Sequence, residues 1–279
     1  MKKNKNVILF HNLKTSKIKK KIEEISFFLS TKKLQVLVVE NKAEKAFPPS
    51  LLVISLGGDG TYLNAVKYAG KTPILGVHMG SLGFLTPYSS SSALSAIERF
   101  LKKDKIKLKT NYFLKAVLEK KTKKNSILKN QIFKCVNDVV IERGSFNHLI
   151  KLSIFINKEF IYSLKSDGII ISSPLGSTAY NLAAGGPILD AQVSCLVVTP
   201  ICSHSLTSRP LVIPSHSEID LVLEDTKAYL TLDGLTQCEI SANTKIKIVK
   251  DKKYFLSVVD KNHKDFYLLR QKLKFGQRD

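Results

Sequence analysis

The sequence predicts an α+β chain of two domains: an N-terminal α/β domain with a parallel sheet, then a C-terminal β-rich, sandwich-like domain. Three observations carry this. Strand and helix signals alternate over the first hundred residues, the rhythm changes near Lys105, and beyond it short strands follow one another with few long helices.

The elements follow in order. Asn6–Phe10 reads as a first strand, and its apolar stretch Val7–Phe10 is too short for a signal peptide, although basic residues precede it. Ser16–Leu29 has the spacing of an amphipathic helix, and Leu34–Glu40 reads as a second strand. Leu51–Leu56 is a continuous apolar run, as expected of a parallel strand covered on both faces. A glycine-rich turn, a helix over Thr61–Ala69, a strand over Pro73–Val77 and a helix over Ser91–Lys102 complete the block. Strands are then expected at Leu108–Glu119, Asn130–Ile141, Leu149–Ile156, Glu159–Leu164 and Gly168–Ser172. Further strands are expected at Cys195–Val198, Glu218–Leu223, Ala228–Leu232 and Lys245–Val249. The domains expected are residues 1–104 and 105–262, with a terminal segment over 263–279.

Composition narrows the function. Hydrophobic residues make up 44% of the 279, ordinary for a globular chain. No apolar run approaches the roughly 20 residues needed to span a bilayer, so no membrane partner is expected. The four cysteines form no Cys-x-x-Cys pair and sit mostly among apolar strand residues. Buried free thiols, and with them a cytoplasmic location, are the expectation. The net charge of +21 raises nucleic acid as a partner. Yet lysine is scattered, arginine is scarce, and the runs Lys14–Lys21 and Lys120–Lys124 lack interleaved aromatics. No nucleic acid is therefore expected, and the charge reads as solubility with a mild attraction for anions.

The motif Gly57-Gly58-Asp59-Gly60-Thr61 links an apolar strand to a helix. Gly57, Gly58 and Gly60 permit close approach to the backbone, and N–H groups at a helix start suit phosphate oxygens. Thr61 is a candidate cap for that helix. A carboxylate beside phosphate needs a task, and Asp59 has two: taking a proton from an attacking hydroxyl, or helping to hold magnesium. A purely structural turn is the alternative.

Two commoner nucleotide motifs are absent. Gly70-Lys71-Thr72 resembles the end of a P-loop, but Ala65 stands where the pattern needs glycine. The glycines near residue 58 do not complete a dinucleotide fingerprint. A second cluster, Gly76 through Leu85, follows the next strand and should lie at the same sheet edge, where Phe84 can face a base or the core.

Asn137-Asp138 interrupts an apolar run and suits ribose hydroxyls, or marks a bulge. Ser166 through Tyr180 is dense in small and polar residues. There Asp167 is a second candidate carboxylate, Ser177 a candidate cap for a short helix, and Tyr180 a flat surface for a nucleobase. Gly185-Gly186-Pro187 ends that helix. Ser177 with His204 does not make a hydrolase, since no Gly-x-Ser-x-Gly elbow surrounds the serine. The six histidines lack metal-ligand spacing.

Taken in order, these segments resemble the bacterial NAD kinases. The likeness includes Gly57–Thr61, Gly80–Leu85, Asn137-Asp138, Asp167-Gly168 and Gly176–Tyr180 with Gly185-Gly186-Pro187. Ser205–Pro210 and Lys272–Gly276 complete it. Lipid and sugar kinases share only the first element, so they remain an alternative, as does a catalytically silent NAD-binding module.

The resemblance implies an ATP-dependent kinase that phosphorylates the adenosine 2′-hydroxyl of NAD to give NADP. A divalent cation, Mg2+ or another, would be carried on the nucleotide phosphates. Asp59 would be the base or orient the hydroxyl. Gly57, Gly58, Gly60 and Thr61 would handle ATP phosphate, and Asp59, Gly60, Phe84, Asn137, Asp138, Asp167, Thr178, Ala179 and Tyr180 would line the NAD site. A homo-oligomer, dimer or tetramer, and packing of the last residues back on the first domain are also implied. Two positions depart from the family pattern: Asp138 replaces the commoner Glu, and Ala183 the commoner Ser.

Overall fold

A computed structural model of the chain describes residues 5–12, 15–41, 45–119, 130–144, 148–224, 227–262 and 265–274. Met1–Asn4, Lys14, the Lys120–Lys124 run and Phe275-Gly276 lie outside the described residues. The chain forms two compact units, residues 1–111 with 254–279 and residues 112–253.

The first unit opens with β1 (Asn6–His11), α1 (Ser16–Thr31), β2 (Gln35–Glu40), β3 (Leu52–Leu56), α2 (Asp59–Ala69), β4 (Ile74–His78), β5 (Tyr88–Ser89) and α3 (Ala93–Lys102). Its strands run parallel in the order β2-β1-β3-β4, with β5 on β4. The α/β expectation therefore holds. All five residues of β3 are buried, as its continuous apolar run requires between two layers. Thr15 caps α1 by accepting the N–H of Ile18 at 3.3 Å. That helix buries Ile18, Ile25 and Leu29, one stripe of a 3.6-residue period. The stripe joins a core with Val7, Leu9, Ile54, Leu75 and Ile97.

The second unit contains β6 (Ile106–Glu119), β7 (Gln131–Cys135), β8 (Asp138–Arg143), β9 (Ile150–Ile156), β10 (Glu159–Ser166) and β11 (Gly168–Ser172). The short helix α4 (Tyr180–Ala183) follows, then β12 (Cys195–Ile201), β13 (Leu211–Pro214), β14 (Ile219–Leu223), β15 (Ala228–Leu232), β16 (Leu235–Ile240) and β17 (Lys245–Asp260). The chain enters this unit within β6 and leaves it within β17. One antiparallel sheet runs β13-β12-β11-β8-β15-β16, and β10-β9-β14-β17 form another. Val139, Ile141 and Ile169 of the first meet Leu152, Leu221 and Ile248 of the second in one core, the sandwich-like arrangement expected. The single strand expected over Asn130–Ile141 is broken at Val136-Asn137, for a reason given below.

The helix α5 (Asp265–Leu273) completes the first unit. Lys272 Nζ there donates to the Leu82 carbonyl at 2.7 Å. Of the four cysteines, Cys135 and Cys195 are buried and Cys238 is half-buried. Cys202 is exposed, contrary to expectation, because it lies in the turn just after β12 with φ of 45°.

Candidate functional site

In the first unit, β3 delivers the chain to Gly57, whose N–H donates to the Val77 carbonyl at 2.9 Å. A Cβ at Gly57 would lie 2.2 Å from Thr61 Oγ1, so packing demands glycine there. Gly58, not Thr61, caps α2, and no side chain assists. Thr61 falls inside the first turn with its side chain packed on Gly57, three residues too late to cap. The second glycine cluster begins one strand over, as expected from the pairing of Leu56 with Val77.

Gly58 and Gly60 are different from Gly57. Neither has a positive φ, and a Cβ on either would meet nothing within 4 Å. The fold does not require glycine at these two positions. What their absent side chains provide is open backbone beside the first N–H groups of α2. Those donors have no acceptor within the helix, and its dipole favours anions at this end.

Asp59 opens α2 and reaches across to the next loop. Its Oδ2 accepts the Phe84 N–H at 2.9 Å, and its Oδ1 accepts the Leu85 N–H at 2.9 Å and the Thr86 hydroxyl at 3.3 Å. Gly83 makes room: a Cβ there would sit 2.1 Å from Asp59 Oδ1. Gly76 does the same one layer down, where a Cβ would be 2.6 Å from the Leu85 carbonyl. A carboxylate has about four acceptor positions. Three are used, which fixes the group and leaves one lone pair on Oδ2 for an incoming hydroxyl. The half-buried Phe84 ring has the Lys272 ammonium 5.3 Å from its centre.

In the second unit, Asp233 explains the break between β7 and β8. It occupies the Asp233-Gly234 turn, both residues with positive φ (49° and 75°). Its carboxylate accepts the Val136 N–H at 3.0 Å and the Asn137 N–H at 2.7 Å. Those donors are thereby withdrawn from the strand ladder. Ser173 holds the same turn from the other side. Its hydroxyl donates to the Val136 carbonyl at 2.7 Å and its N–H to the Asn137 carbonyl at 2.8 Å. A Cβ at Gly176 would come within 2.2 Å of that Asn137 oxygen.

The fold thus joins Asn137-Asp138 to the Ser173–Thr178 segment. Asn137 Oδ1 is buried with no hydrogen-bond partner among the described residues, an acceptor that a ligand hydroxyl would satisfy. Asp138 is buried, and its carboxyl is pushed up to about 7, first by desolvation and then by the charge of Asp233. Near neutral pH it therefore exchanges between acceptor and donor forms. Asp167 precedes β11 and pairs with Arg143 at 3.1 Å.

Tyr180 is 42% exposed, and its hydroxyl is pushed upward first by partial burial and then by nearby charge, including Glu142, Asp167 and Asp138. An exposed aromatic ring among carboxylates can stack on a base while the carboxylates accept sugar hydroxyls. Thr178 ends a 3-10 turn over Leu175–Thr178, and Ala179 leads into α4.

Ser177 is not a cap. It is buried inside the 3-10 turn, donating to the Pro174 carbonyl at 2.7 Å and accepting the Leu189 N–H at 3.1 Å. Asn181, which sequence reasoning passed over, anchors the whole segment. Its Nδ2 donates to the Ser177 and Pro187 carbonyls, and its Oδ1 accepts the Thr199 hydroxyl at 2.6 Å. Arg143, Glu142 and Asp233 were likewise missed. Asp233-Gly234 is legible as a hairpin turn, but nothing local tells which N–H groups its carboxylate meets. Among the described residues no group of three or more His, Cys, Asp or Glu is arranged to hold a metal ion.

Residues 7–106 match the family model of the ATP-NAD kinase N-terminal domain, and residues 136–259 that of the C-terminal domain. The chain is 37% identical to an NAD kinase of Bdellovibrio bacteriovorus, over all of this chain and 95% of that protein. Among solved structures it is similar to yeast NADH kinase complexed with NADH, with a TM-score of 0.87 and 27% identity. That match covers 99% of this chain and 89% of the yeast one. An Archaeoglobus fulgidus NAD kinase in complex with ATP shares the fold, with a TM-score of 0.78 at 20% identity over 96% of this chain and 98% of that one. With both domain models matched across most of its length, the chain belongs to the ATP-NAD kinase family.

Proposed function

We propose that this protein transfers the γ-phosphoryl group of ATP to the adenosine 2′-hydroxyl of NAD, giving NADP. The observation that carries the reading is the carboxylate of Asp59, fixed by two N–H groups and one hydroxyl with a single acceptor position left over. A group so held can orient a hydroxyl and take its proton as the new P–O bond forms. Gly57, Gly58, Gly60 and Thr61 are assigned to phosphate, with the open backbone at Gly58 and Gly60 in support.

Asp59, Gly60, Phe84, Asn137, Asp138, Asp167, Thr178, Ala179 and Tyr180 are assigned to NAD. The orphaned Asn137 oxygen and the carboxylates around Tyr180 support that assignment. The described residues offer no ready metal cage, so a divalent cation such as Mg2+ is assigned to the nucleotide's own phosphates. The same reading holds the active protein to be a homo-oligomer, dimer or tetramer, in the cytoplasm.

The test is incubation of purified protein with NAD, ATP and Mg2+, followed by a coupled assay specific for NADP. NADP formation in proportion to enzyme is expected. Folded protein that yields none above a blank, with NADH and inorganic polyphosphate also tried, refutes the proposal and favours a silent NAD-binding module.

A further inference from the structure

We infer that the first unit holds an effector site for a small monocarboxylic acid with an apolar body, in a cavity behind the loop that clamps Asp59. Its effect on turnover rests on the kinase reading, and its binding does not. The cavity has a volume of about 380 Å³ and is lined by Leu82, Pro87, Arg99, Lys105, Asp260 and Leu268. That volume is in the range of small-molecule sites. α3 supplies Arg99, α5 supplies Leu268, and β17 ends on Asp260. Leu82 and Pro87 flank the residues 84–86 that hold Asp59. No residue assigned above to NAD or to phosphate lines this cavity.

Charge selects the class of ligand. The lining carries two cations and one carboxylate, a balance that suits a single negative charge and disfavours a polyanion. Arg99 Nη1 is 2.8 Å from Asp260 Oδ1, and Arg99 Nε donates to the Ser95 carbonyl at 3.4 Å. A guanidinium has five donors, so others remain for a second carboxylate. The backbone at Lys105 has φ of 52°, and its carbonyl accepts the Lys261 N–H at 2.9 Å. That fixes where the exposed Lys105 side chain meets the rim of the cavity.

Tyr88 supplies an independent pointer to a ligand. It is 4% exposed, and its hydroxyl is buried with no hydrogen-bond partner among the described residues. Burial pushes that hydroxyl well above its usual range, Asp260 adds to the shift and Arg99 opposes it. The group therefore stays a neutral donor and lies close to the charges of the cavity. A buried donor without an acceptor is rare in folded proteins, and a carboxylate oxygen held by Arg99 and Lys105 would satisfy it. Leu82, Pro87 and Leu268 would cover the apolar body, with the exposed Tyr267 ring at the mouth.

The same contacts reach Asp59. Lys272, one turn after Leu268 on α5, donates to the Leu82 carbonyl at 2.7 Å. Just beyond Leu82, the Phe84 and Leu85 N–H groups and the Thr86 hydroxyl hold the carboxylate. A ligand seated on Leu82, Pro87 and Leu268 bears on both ends of that clamp. Its binding favours the arrangement in which the clamp is formed.

Hydrocinnamate is the probe, and hydrocinnamyl alcohol is its uncharged counterpart. Calorimetric titration into the full chain should give saturable binding of the acid that neither NAD nor ATP displaces, with the alcohol roughly tenfold weaker. Lys105→Glu reverses the charge at an exposed position and should weaken the acid about tenfold. Tyr88→Phe keeps the ring and removes the orphaned donor. It should weaken the acid about fivefold while Tm equals or exceeds that of the parent. With the probe saturating, kcat should rise by about twofold or more, with KM for NAD and for ATP within about twofold.

A parent that does not bind the acid, an alcohol that binds as tightly, displacement by NAD or ATP, or variants with parental affinity each overturn the site. If the parent forms NADP and the bound probe leaves kcat unchanged, the effector role fails and the kinase reading stands. If the parent forms no NADP, the kinase reading fails, and the titrations with the two variants still uphold or overturn the site.

Discussion

Replacing Asp59 by asparagine perturbs two things at once, and the structure allows them to be separated. The carboxylate accepts three donors. An amide oxygen placed at Oδ1 keeps the Leu85 N–H and the Thr86 hydroxyl, but the amide nitrogen then faces the Phe84 N–H, donor against donor. Leaving that donor unsatisfied costs about 1–3 kcal/mol, and losing the charge weakens the other two bonds. A total of roughly 2–4 kcal/mol lowers Tm by roughly 5–15 °C in a domain of this size.

If Asp59 is also the base, kcat falls by roughly 10²- to 10⁴-fold while Kd for NAD changes much less. Thr86→Val is the control. It removes the 3.3 Å bond to the carboxylate at a cost of about 1 kcal/mol and leaves the charge in place. Its kcat should stay within about threefold of the parent. Thermal denaturation and steady-state kinetics below both transitions provide the readout. An Asn variant that keeps parental kcat refutes Asp59 as base, and one that keeps parental Tm refutes the clamp.

Other perturbations follow from the same geometry. Gly60→Ala puts a Cβ into open space within the first turn of α2, so stability should hold or rise by up to about 1 kcal/mol while KM for ATP rises; a lower Tm would assign the glycine to the fold. Gly176→Ala drives a Cβ against the Asn137 carbonyl and should cost about 1–3 kcal/mol, with weaker NAD binding by calorimetry. Unfolded Asp138 loses its proton near about 3.9 and the folded group near about 7, so between these values the folded state holds the extra proton. This contribution, roughly 2–4 kcal/mol, is fully present below pH about 4 and is lost as pH rises to about 7. Urea titrations across that window should show Asp138→Asn with a flatter pH dependence than the parent, and equal slopes would remove the assigned shift.

Most strands and helices were legible because a covered parallel strand and an amphipathic helix each impose a local pattern. Leu52–Leu56 and the stripe of Ile18, Ile25 and Leu29 are examples. The elements that escaped carry weak patterns. β13 and β16 are edge strands with mostly exposed residues, and α5 places Phe266 and Tyr267 toward solvent. The cap assignments to Thr61 and Ser177 failed for a related reason. Capping preference is local, whereas both hydroxyls are held within tight turns, Thr61 by its packing on Gly57 and Ser177 by its bonds to Pro174 and Leu189.

By itself the sequence determined the two-part architecture, the glycine turn at the end of β3, and the residues with acid–base or stacking chemistry. Periodicity and turn chemistry act between neighbours in the chain, and so they are written in it. Tertiary structure alone decided what those residues are free to do. It spent three of Asp59's acceptor positions on a loop about 25 residues away, gave Asn137 a partner in Asp233 96 residues on, and buried Asp138 deeply enough to hold its proton near neutrality. Hydrogen-bond partners and desolvation are properties of space, and only folding brings such distant residues within bonding range.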